Sequence, residues 1–320
     1  MAASRRPVPT YRSMLWVPGN RKDWMLKAPK FGADAFAYDL EDSVPTDEKE
    51  RAREAIQVVL AEHAAEPFGK FVRLNSWDSG HVLADLLAVV RNGLDGVMLA
   101  KTESPTDIVT LDRILGDLER ARGLELGKIE IVPVCETAKG AYYQHQICLS
   151  SSRVRRTGMM GAETFGADLA RSVGIFTASD DVSEVLYVTG RLSLEARAAG
   201  VTQVIAGMTT MLDDLDLVRR LALRFKALGA TGCIVVHPSH APVCNEVFMP
   251  SAEEIQDARD MVNALSKGVA DGTAAIRHAG RLVDYAHIRV AQDILAQARR
   301  YGMDVGDVAD IDIPAYTAQD

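Results

Sequence analysis

Short runs of aliphatic and β-branched residues recur along the chain up to position 238, and each is followed by a more polar segment. Apolar runs of this length, bounded by turn residues, are typical of the buried strands of a parallel sheet. We predict eight strands from them, namely MLWVP (14–18), AFAYDLE (35–41), KFVRLN (70–75), GVMLAK (96–101), IEIVPVCE (129–136), TGMMGAE (157–163), TQVIAG (202–207) and GCIVVHP (232–238).

The segments between these runs repeat their apolar positions every three to four residues, which is the period of an amphipathic α-helix. The clearest of them cover residues 46–64, 81–93, 107–123 and 214–229. Gly93, Gly123 and Gly229 end three of these segments, as glycine commonly does at helix C-termini. Strands that alternate with helices eight times predict an α/β fold, a (β/α)₈ TIM barrel with right-handed crossovers, and a doubly wound open sheet is the competing topology.

Beyond the eighth run the chain carries a segment that a barrel does not require. Residues 251–268 begin with Ser251 and Glu254 at the spacing of a capping box, and residues 285–302 again have helical periodicity. We therefore divide the chain into a flexible N-terminal arm at 1–11, a barrel domain at 12–250 and a C-terminal helical extension at 251–320.

Composition and charge narrow the class of protein. The chain is 48% hydrophobic and 25% charged, which is ordinary for a globular protein, and its net charge of −8 argues against general nucleic-acid binding. An acidic total still allows a local basic pocket for an anionic substrate. No apolar run approaches the ~20 residues of a transmembrane helix, and the four cysteines form no C-x-x-C pair. We predict a cytoplasmic protein with buried thiols and no membrane partner.

Charged and amide side chains stand at or just after the ends of the predicted strands. In a (β/α)₈ barrel the active site is built from the C-terminal strand ends and the loops that follow them. Apolar strands that repeatedly end in charges are poorly explained by packing alone, because buried charges need partners. These residues are Asn20, Arg21, Asp39, Glu41, Asp42, Arg73, Asn75, Lys101, Glu136, Glu163, Thr164 and His237.

Several carboxylates that face two or three cations favour a hard divalent metal, Mg²⁺ or Mn²⁺, which would bridge the protein to an anionic substrate. Zinc is disfavoured because no group of histidines and cysteines has the spacing of zinc ligands. A ring of salt bridges at the barrel mouth, without metal, is the alternative interpretation.

Seven motifs, in order from about Arg12 to Arg299, together resemble the citrate lyase β-subunit-like (CitE-like) branch of the HpcH/HpaI aldolase family. They are RSMLWVPGNR, DAFAYDLEDSVPTDEKERAR, FVRLN, GLDGVMLAKTES, IVPVCETAKG, GCIVVHPSH and VFMPSAEEI. The resemblance implies a TIM-barrel carbon–carbon lyase that depends on Mg²⁺, with Mn²⁺ as an alternative. Its substrates would be 3-hydroxyacyl-CoA thioesters of the citryl-, malyl- or citramalyl-CoA type, cleaved to acetyl-CoA and a 2-oxo acid or formed from them.

The resemblance also implies roles for individual residues. Glu136 in CET would be a metal ligand that also contributes to substrate binding, and Arg73 in VRLN would hold the carboxylate of the oxo acid. The acids of DLEDSV would order water at the metal. Among these acids we assign Glu41 a catalytic role, and we assign Arg73 one as well. A bidentate carboxylate contact is a task that arginine performs better than lysine.

Further residues are candidates for substrate binding and for acid/base catalysis. Arg21 and Lys22 are candidates for the CoA phosphates, and Lys101 is a candidate substrate contact. In the extension, GRLVDYA resembles the segment that supplies an acid/base aspartate to a neighbouring subunit, which indicates Asp284 as a catalytic residue. A residue that acts across a subunit interface implies a homo-oligomer, a trimer or a hexamer.

The sequence departs from the family at the exit of strand 6. The motif there usually reads Gly-Ala-Glu-Asp-Leu with the aspartate as the second metal ligand, and here Thr164 takes the place of that aspartate. Thr164 could ligate the metal through its hydroxyl group, or Glu163 or Asp168 could supply the carboxylate. In a third interpretation the site holds metal poorly, and the protein is a non-catalytic barrel that binds acyl-CoA or a dicarboxylate.

Lys101 introduces one more enzymatic alternative, a Schiff-base aldolase. A lysine in a dry pocket has a lowered pKa and becomes nucleophilic. The surrounding LAKTES resembles the metal-dependent family instead.

Overall fold

The computed structural model describes residues 8–159, 168–175 and 186–313, and its strands and helices alternate as the hydrophobic pattern predicts. The strands are short and almost wholly buried, in keeping with their apolar composition. They are β1 (Ser13–Pro18), β2 (Ala35–Asp39), β3 (Gly69–Leu74), β4 (Gly96–Leu99), β5 (Glu130–Pro133), β6 (Arg156–Met159), β7 (Gln203–Gly207) and β8 (Gly232–Val235).

Helices follow the strands and cover the outside of the sheet. They are α1 (Lys22–Lys27), α2 (Lys49–Glu62), α3 (Val82–Val89), α4 (Pro105–Ala121), α5 (Ala138–Tyr142), α6 (Gln144–Leu149), α7 (Asp168–Ser172), α8 (Leu186–Ala198), α9 (Leu215–Ala227) and α10 (His240–Val247). Three short 3₁₀ helices lie at Ala28–Phe31, Thr46–Glu48 and Trp77–Ser79. α2 buries one stripe that includes Ala52 and Ile56, as the helical period requires.

The eight strands are parallel and form one sheet in the order β5-β4-β3-β2-β1-β8-β7-β6. The two ends of this order are joined by a parallel bridge between Val134, which follows β5, and Gly158 of β6. The sheet therefore closes on itself. The predicted (β/α)₈ barrel is confirmed, and the open doubly wound sheet is excluded.

Side chains of each strand alternate between two separate apolar cores, because successive residues point to opposite faces of a sheet. Met14, Phe71 and Val132 belong to the cluster that fills the barrel interior. Tyr38 and Val72, one step out of phase, belong to the larger cluster between the sheet and the helices. This alternation decides which residues at the strand ends face the barrel mouth.

Several strands end earlier than the sequence predicts. β2 ends at Asp39, β4 at Leu99 and β5 at Pro133, whereas the predicted strands extend to 41, 101 and 136. The backbone leaves the sheet there to turn toward the next helix. Lys101 has a φ of 49°, a left-handed conformation outside the range of strand residues. Glu41, Lys101 and Glu136 therefore lie in exit loops.

The chain divides into two compact units, residues 1–248 and 249–320. The second unit contains α11 (Ala252–Ala270), β9 (Ile276–His278), β10 (Arg281–Val283) and α12 (Tyr285–Arg300). The capping box predicted for Ser251 and Glu254 is present at the start of α11. The two helices bury their apolar faces in a core of their own, which includes Leu265 and Ile288. No described helix is apolar enough over a sufficient length to cross a membrane.

The sequence pattern does not reveal the hairpin formed by β9 and β10. Its strands are antiparallel and three residues long, with Arg281 opposite His278. Ala279 and Gly280 form the turn, and both have positive φ, 45° and 80°, as a tight two-residue hairpin turn requires. Strands of this length are too short for a hydrophobic alternation to identify them.

Candidate active site

An arginine and an aspartate on neighbouring strands form the centre of the barrel mouth. Asp39 of β2 and Arg73 of β3 are partners in the parallel register, so their side chains project side by side. Arg73 Nε donates to Asp39 Oδ1 at 2.6 Å, and Nη2 donates to Oδ2 at 2.7 Å. Nη1 lies 2.8 Å from Glu41 Oε2, and the guanidinium stacks over Trp16 at 4.1 Å. This bidentate contact fixes the orientation of the guanidinium.

The charges in this group are strongly coupled because Asp39, Glu41 and Arg73 are all buried. Burial acts to raise the pKa of Asp39, but the charge and hydrogen bonds of Arg73 outweigh it and lower that pKa. Burial raises the pKa of Glu41, and Arg73 opposes this only in part. Three of the five N–H donors of Arg73 are used by these described acids, which leaves one on each terminal nitrogen for another partner.

The loop after β2 is held from both sides. Asp39 Oδ1 accepts a hydrogen bond from Glu41 N at 2.9 Å, and Oδ2 accepts from Ser43 N at 3.1 Å. From the other side, the buried ammonium of Lys49 on α2 donates to three carbonyl groups of the same loop, those of Leu40, Glu41 and Val44. The acids of DLEDSV are therefore carried by a loop of fixed geometry.

Glu136 lies three residues beyond β5 and in the inward phase of that strand, in step with Val132 and Val134. It is 5% exposed, and its Oε1 accepts a hydrogen bond from the backbone N–H of Lys101 at 3.0 Å. Burial raises the pKa of Glu136 to about 7, and the charge of Arg73 opposes this. A buried carboxylate whose charge is so incompletely compensated fits the role of a cation ligand.

Lys101 follows β4 and reaches across the mouth. Its ammonium contacts Glu41, lies 3.2 Å from Asp42 Oδ2, and lies 3.5 Å from Asp168 Oδ2 on α7. Burial acts to lower the pKa of Lys101, but the hydrogen bond and charge of Glu41 and the charge of Asp42 outweigh it and raise the pKa above its ordinary value. A lysine held in its charged form is a poor nucleophile, which disfavours the Schiff-base alternative.

The other predicted residues of the first unit lie outside this group. Arg21 is exposed and stacks over Trp24 at 4.4 Å, and Lys22 is exposed at the start of α1. Asn75 donates to Asp85 Oδ2 at 2.7 Å. The assignment of Arg21 and Lys22 to the CoA phosphates stays a prediction.

Asp284 belongs to the second unit, where it caps α12. Its Oδ1 accepts a hydrogen bond from Ala286 N at 3.0 Å and lies 2.8 Å from His287 Nδ1. The hydrogen bond with His287 lowers the pKa of Asp284. A partly exposed carboxylate with a lowered pKa is ionised at neutral pH, as a proton acceptor must be.

Glu163 and Thr164 lie outside the described residues, so their assignment as metal ligands stays a prediction. Within the described ranges, no group of three or more His, Cys, Asp or Glu side chains could hold a metal ion. Among the predicted ligands, Glu136 alone is described, and its burial and raised pKa fit a divalent cation. Carboxylates also outnumber the nearby cations in the described residues, where the acids are Asp39, Glu41, Asp42, Glu136 and Asp168 and the cations are Arg73, Lys101, Arg171 and Lys49.

Two contributions to the site were not predicted. Trp16 faces the barrel interior from β1 and carries the Arg73 guanidinium on its ring. Ser172, at the end of α7, accepts a hydrogen bond from Ala138 N at 2.5 Å, directly after the Glu136 loop. The alternation of side chains along MLWVP could have indicated that Trp16 faces the barrel interior. The hydrogen bond between Ala138 and Ser172 could not be predicted in this way, because it depends on the tertiary contact between two segments.

A closed parallel barrel with buried charged residues gathered at the C-terminal ends of its strands has the architecture of the (β/α)₈ barrel enzymes, whose active sites lie at that end. The family within that class follows from the sequence. Residues 12–238 match the model of the HpcH/HpaI aldolase/citrate lyase family, and the chain belongs to this family.

Similar proteins support the same family. The citrate lyase subunit beta of Haemophilus influenzae is 27% identical over 90% of this chain and 97% of its own. The L-malyl-CoA/beta-methylmalyl-CoA lyase of Rhodobacter capsulatus is 29% identical over 91% of this chain and 96% of its own. The crystal structure of CitE from Mycobacterium tuberculosis, in complex with magnesium, acetoacetate and coenzyme A, has a TM-score of 0.70 and 24% identity, and covers 92% of this chain and 98% of that one. That structural likeness concerns the fold.

Proposed function

We propose that this protein is a magnesium-dependent carbon–carbon lyase that cleaves a 3-hydroxyacyl-CoA thioester to acetyl-CoA and a 2-oxo acid, or catalyses the reverse condensation. One observation carries the proposal: the buried Glu136 carboxylate, with its pKa raised to about 7, interacts electrostatically with the guanidinium of Arg73, which Asp39 holds in place. A cation ligand next to a carboxylate-binding arginine is what a 2-oxo acid requires.

The family supports the same chemistry. The relatives that match over most of the chain are named as a citrate lyase subunit and as a malyl-CoA lyase. Both names describe a lyase, and the second names CoA thioesters as its substrates. Selectivity among citryl-, malyl- and citramalyl-CoA depends on the residues that contact the acyl group, which are not among the site residues described above.

Each residue of the site has a proposed part. Glu136, with a second ligand from residues 160–167, would hold the magnesium ion, which supplies Lewis-acid stabilisation of the 2-oxo group when bound. Arg73 holds the carboxylate of the oxo acid through its remaining terminal N–H donors, while Asp39 fixes its orientation. Glu41, which is paired with Arg73 and Lys101, would order water in the mouth.

Asp284 is the proposed proton acceptor. In cleavage Asp284 takes the proton of the 3-hydroxyl group, and the O–H electron pair forms the carbonyl group of the 2-oxo acid as the bond between C2 and C3 breaks. The electron pair of the broken bond forms the thioester enolate, and return of the proton from Asp284 to that enolate gives acetyl-CoA. Asp284 would act on the barrel of a neighbouring subunit, so the active protein is a homotrimer or a hexamer, with residues 251–320 as the extension that contacts the neighbour. The four cysteines are buried and form no disulfide, which supports a cytoplasmic location.

Calorimetry tests the proposal. We expect Mg²⁺ and Mn²⁺ to bind in the presence of oxaloacetate or glyoxylate, and Thr164→Asp to bind them at least about tenfold more tightly, because a carboxylate replaces a neutral ligand. Lyase activity is then assayed on citryl-, malyl- and citramalyl-CoA. Absence of metal binding by the natural protein with either oxo acid, together with binding by Thr164→Asp, would contradict the lyase assignment.

A second candidate function rests on Thr164 itself. If the missing aspartate leaves the site without metal, the protein is a barrel that binds acyl-CoA or a dicarboxylate without turnover. The same titrations distinguish the two, because such a barrel binds oxaloacetate equally well with and without Mg²⁺.

A further inference from the structure

The loop between β7 and α9 exposes apolar side chains at the end of the barrel where the active site lies. It follows the C-terminal end of a barrel strand, as the loops of the mouth do. Met211 and Leu212 are 59% and 46% exposed, and Leu215 at the start of α9 is exposed as well. Together they line an open depression of about 680 Å³. Three exposed apolar side chains in one short segment are typical of a surface that another protein covers.

This loop is held by buried polar contacts, so a fixed backbone presents its apolar side chains. The buried ring of His240 on α10 donates from Nε2 to the Leu212 carbonyl oxygen at 3.1 Å. Thr209 Oγ1 accepts a hydrogen bond from Met211 N at 3.1 Å. Residues 209–216 also contain three aspartates and no basic residue. The surface is therefore apolar with an acidic border.

The hairpin of β9 and β10 carries the opposite charge on its outward face. Successive residues of a strand point to opposite sides. His278 and Arg281 are cross-strand partners that both contact Asp257 of α11, so this pair faces the helix. The next pair, Arg277 and Leu282, therefore points away from α11, and Leu282 is 68% exposed. Arg277 is exposed and belongs to no ion pair within the described residues.

Asp284, the proposed base, directly continues this outward face. Its backbone is extended, with φ −135° and ψ −172°, so it prolongs the line of β10. Leu282 and Asp284 are two residues apart and project to the same side, with their Cα atoms ~7 Å apart. A surface that receives Leu282 at a barrel mouth thereby brings Asp284 to that mouth.

We propose that the face formed by Arg277 and Leu282 docks on the β7–α9 loop of a second copy of this chain. Leu282 packs against Met211 and Leu212, and Arg277 pairs with Asp213, which is exposed and forms no ion pair in the described part of the chain. The occupant is a second copy because apolar side chains on the two faces are bordered by opposite charges. Two different surfaces make a heterologous contact, which closes into a ring such as a trimer.

The inference deepens the proposed function, because it names the surface through which Asp284 reaches a neighbouring barrel. It rests on that function for the role of Asp284. The contact between the two surfaces is tested without metal, substrate or turnover.

Disulfide trapping between two variants tests the contact. The four natural cysteines are buried, so engineered surface thiols carry the signal. Met211→Cys and Leu282→Cys are co-refolded in equal amounts and oxidised with diamide, which takes up the two electrons and two protons of each thiol pair. In a ring about a quarter of the contacts join both thiols, so about half of the chains should become covalent dimers. Leu223→Cys, exposed on α9, should give none in place of Met211→Cys.

A variant with both cysteines in one chain identifies the occupant. Covalent rings of several chains support a second copy. An internally linked monomer would show that the hairpin covers its own barrel and would overturn the proposal. Absence of any covalent dimer in the mixture of single variants would overturn it as well.

Charge reversal tests the ion pair between the two faces. Asp213→Arg and Arg277→Asp should each raise the protein concentration at which the oligomer dissociates about tenfold, because each places like charges opposite one another. The double variant should restore association. Arg113→Asp, at an exposed position of α4, has the same charge change and should not restore association when combined with Asp213→Arg.

Sedimentation velocity measures these dissociation midpoints. A wild type that stays monomeric, or a double variant as weak as the single variants, would contradict the docking. Failure of the docking and failure of the proposed function are distinguishable. Covalent dimers from protein that cleaves none of the CoA thioesters support the docking and refute the lyase, whereas lyase activity without covalent dimers refutes the docking alone.

Discussion

At the scale of single residues, the site is a set of buried charges whose pKa values move in opposite directions. Arg73 lowers the pKa of Asp39 against the effect of burial, whereas Glu136, which has no ion pair at comparable distance among the described residues, keeps a pKa of about 7. The pKa values of the two carboxylates shift in opposite directions because Arg73 donates two hydrogen bonds to Asp39. Asp39 is thereby an anion held by Arg73, whereas Glu136 is the buried carboxylate that we propose as the cation ligand.

Replacement of Glu136 by glutamine changes how stability depends on pH. In metal-free protein the raised pKa means that the folded state binds this proton more tightly than the unfolded state does, so wild type loses stability as pH rises from about 4.5 to about 7. Glu136→Gln lacks this loss. The stability of the variant relative to wild type should therefore grow by at most about 1.4 kcal/mol per pH unit across that window.

Urea unfolding in EDTA at pH 5 and pH 8 measures this difference. Glu54→Gln, which replaces an exposed carboxylate on α2, serves as the control. A stability difference between Glu136→Gln and wild type that is equal at both pH values would show that the pKa of Glu136 is not raised.

The proposed base is separable from its role as a helix cap. Asparagine caps a helix about as well as aspartate, so Asp284→Asn should keep the stability of α12 while it lowers kcat about 10²-fold or more through loss of the proton acceptor. Ser251→Ala is the matched control, since it removes the cap of α11 and should cost about 1 kcal/mol without loss of kcat. Full turnover by Asp284→Asn would refute the assignment of the base.

At the scale of elements, the exits of β4 and β5 are packed against each other with no spare room. A Cβ atom on Gly140 of α5 would come within 2.3 Å of the Thr102 carbonyl oxygen after β4. The loop that carries Glu136 and the loop that begins with Lys101 are therefore pressed together at this glycine. The same two loops share the hydrogen bond from Lys101 N to Glu136.

Gly140→Ala should push these two exits apart. We expect a loss of about 1–3 kcal/mol in the free energy of unfolding, together with weaker Mg²⁺ binding, because backbone cannot yield as a side chain does. Gly116→Ala on α4 is the control, since its nearest neighbour, Arg120 Nη1, lies at 3.7 Å and alanine favours the helix. Denaturant unfolding and calorimetry measure both effects. A Gly140→Ala protein as stable as Gly116→Ala would mean that the contact relaxes freely.

At the scale of the whole molecule, the proposed active site combines the barrel of one subunit with the extension of another. Glu136→Gln and Asp284→Ala should each be inactive alone. Mixed oligomers restore sites that join an intact barrel to an intact Asp284, and random mixing of equal amounts should recover about a quarter of the wild-type activity. Activity is assayed after co-refolding, with mass spectrometry to verify that the oligomers are mixed. Verified mixed oligomers without activity would show that each site lies within one subunit.

The barrel fold could be predicted from the sequence because the pattern of an apolar strand followed by an amphipathic helix is repeated along the chain. Eight apolar runs at regular spacing, with glycines at helix ends such as Gly93 and Gly229, outweigh the ambiguity of any single run. The strand ends were less predictable. Lys101 and Glu136 continue their apolar runs in the sequence, yet the backbone has already left the sheet at Leu99 and Pro133, because the turn toward the next helix ends the ladder.

The sequence by itself determined the fold class, the family resemblance and the group of charged residues that face the barrel mouth, because these depend on local periodicity and on residue type. Only the tertiary structure decided how those charges pair. The parallel register sets Asp39 beside Arg73, and the left-handed backbone at Lys101 points its N–H at Glu136 while its ammonium reaches Asp168. Such pairings join residues on separate strands and helices, and the distances that fix them exist only once the sheet has closed.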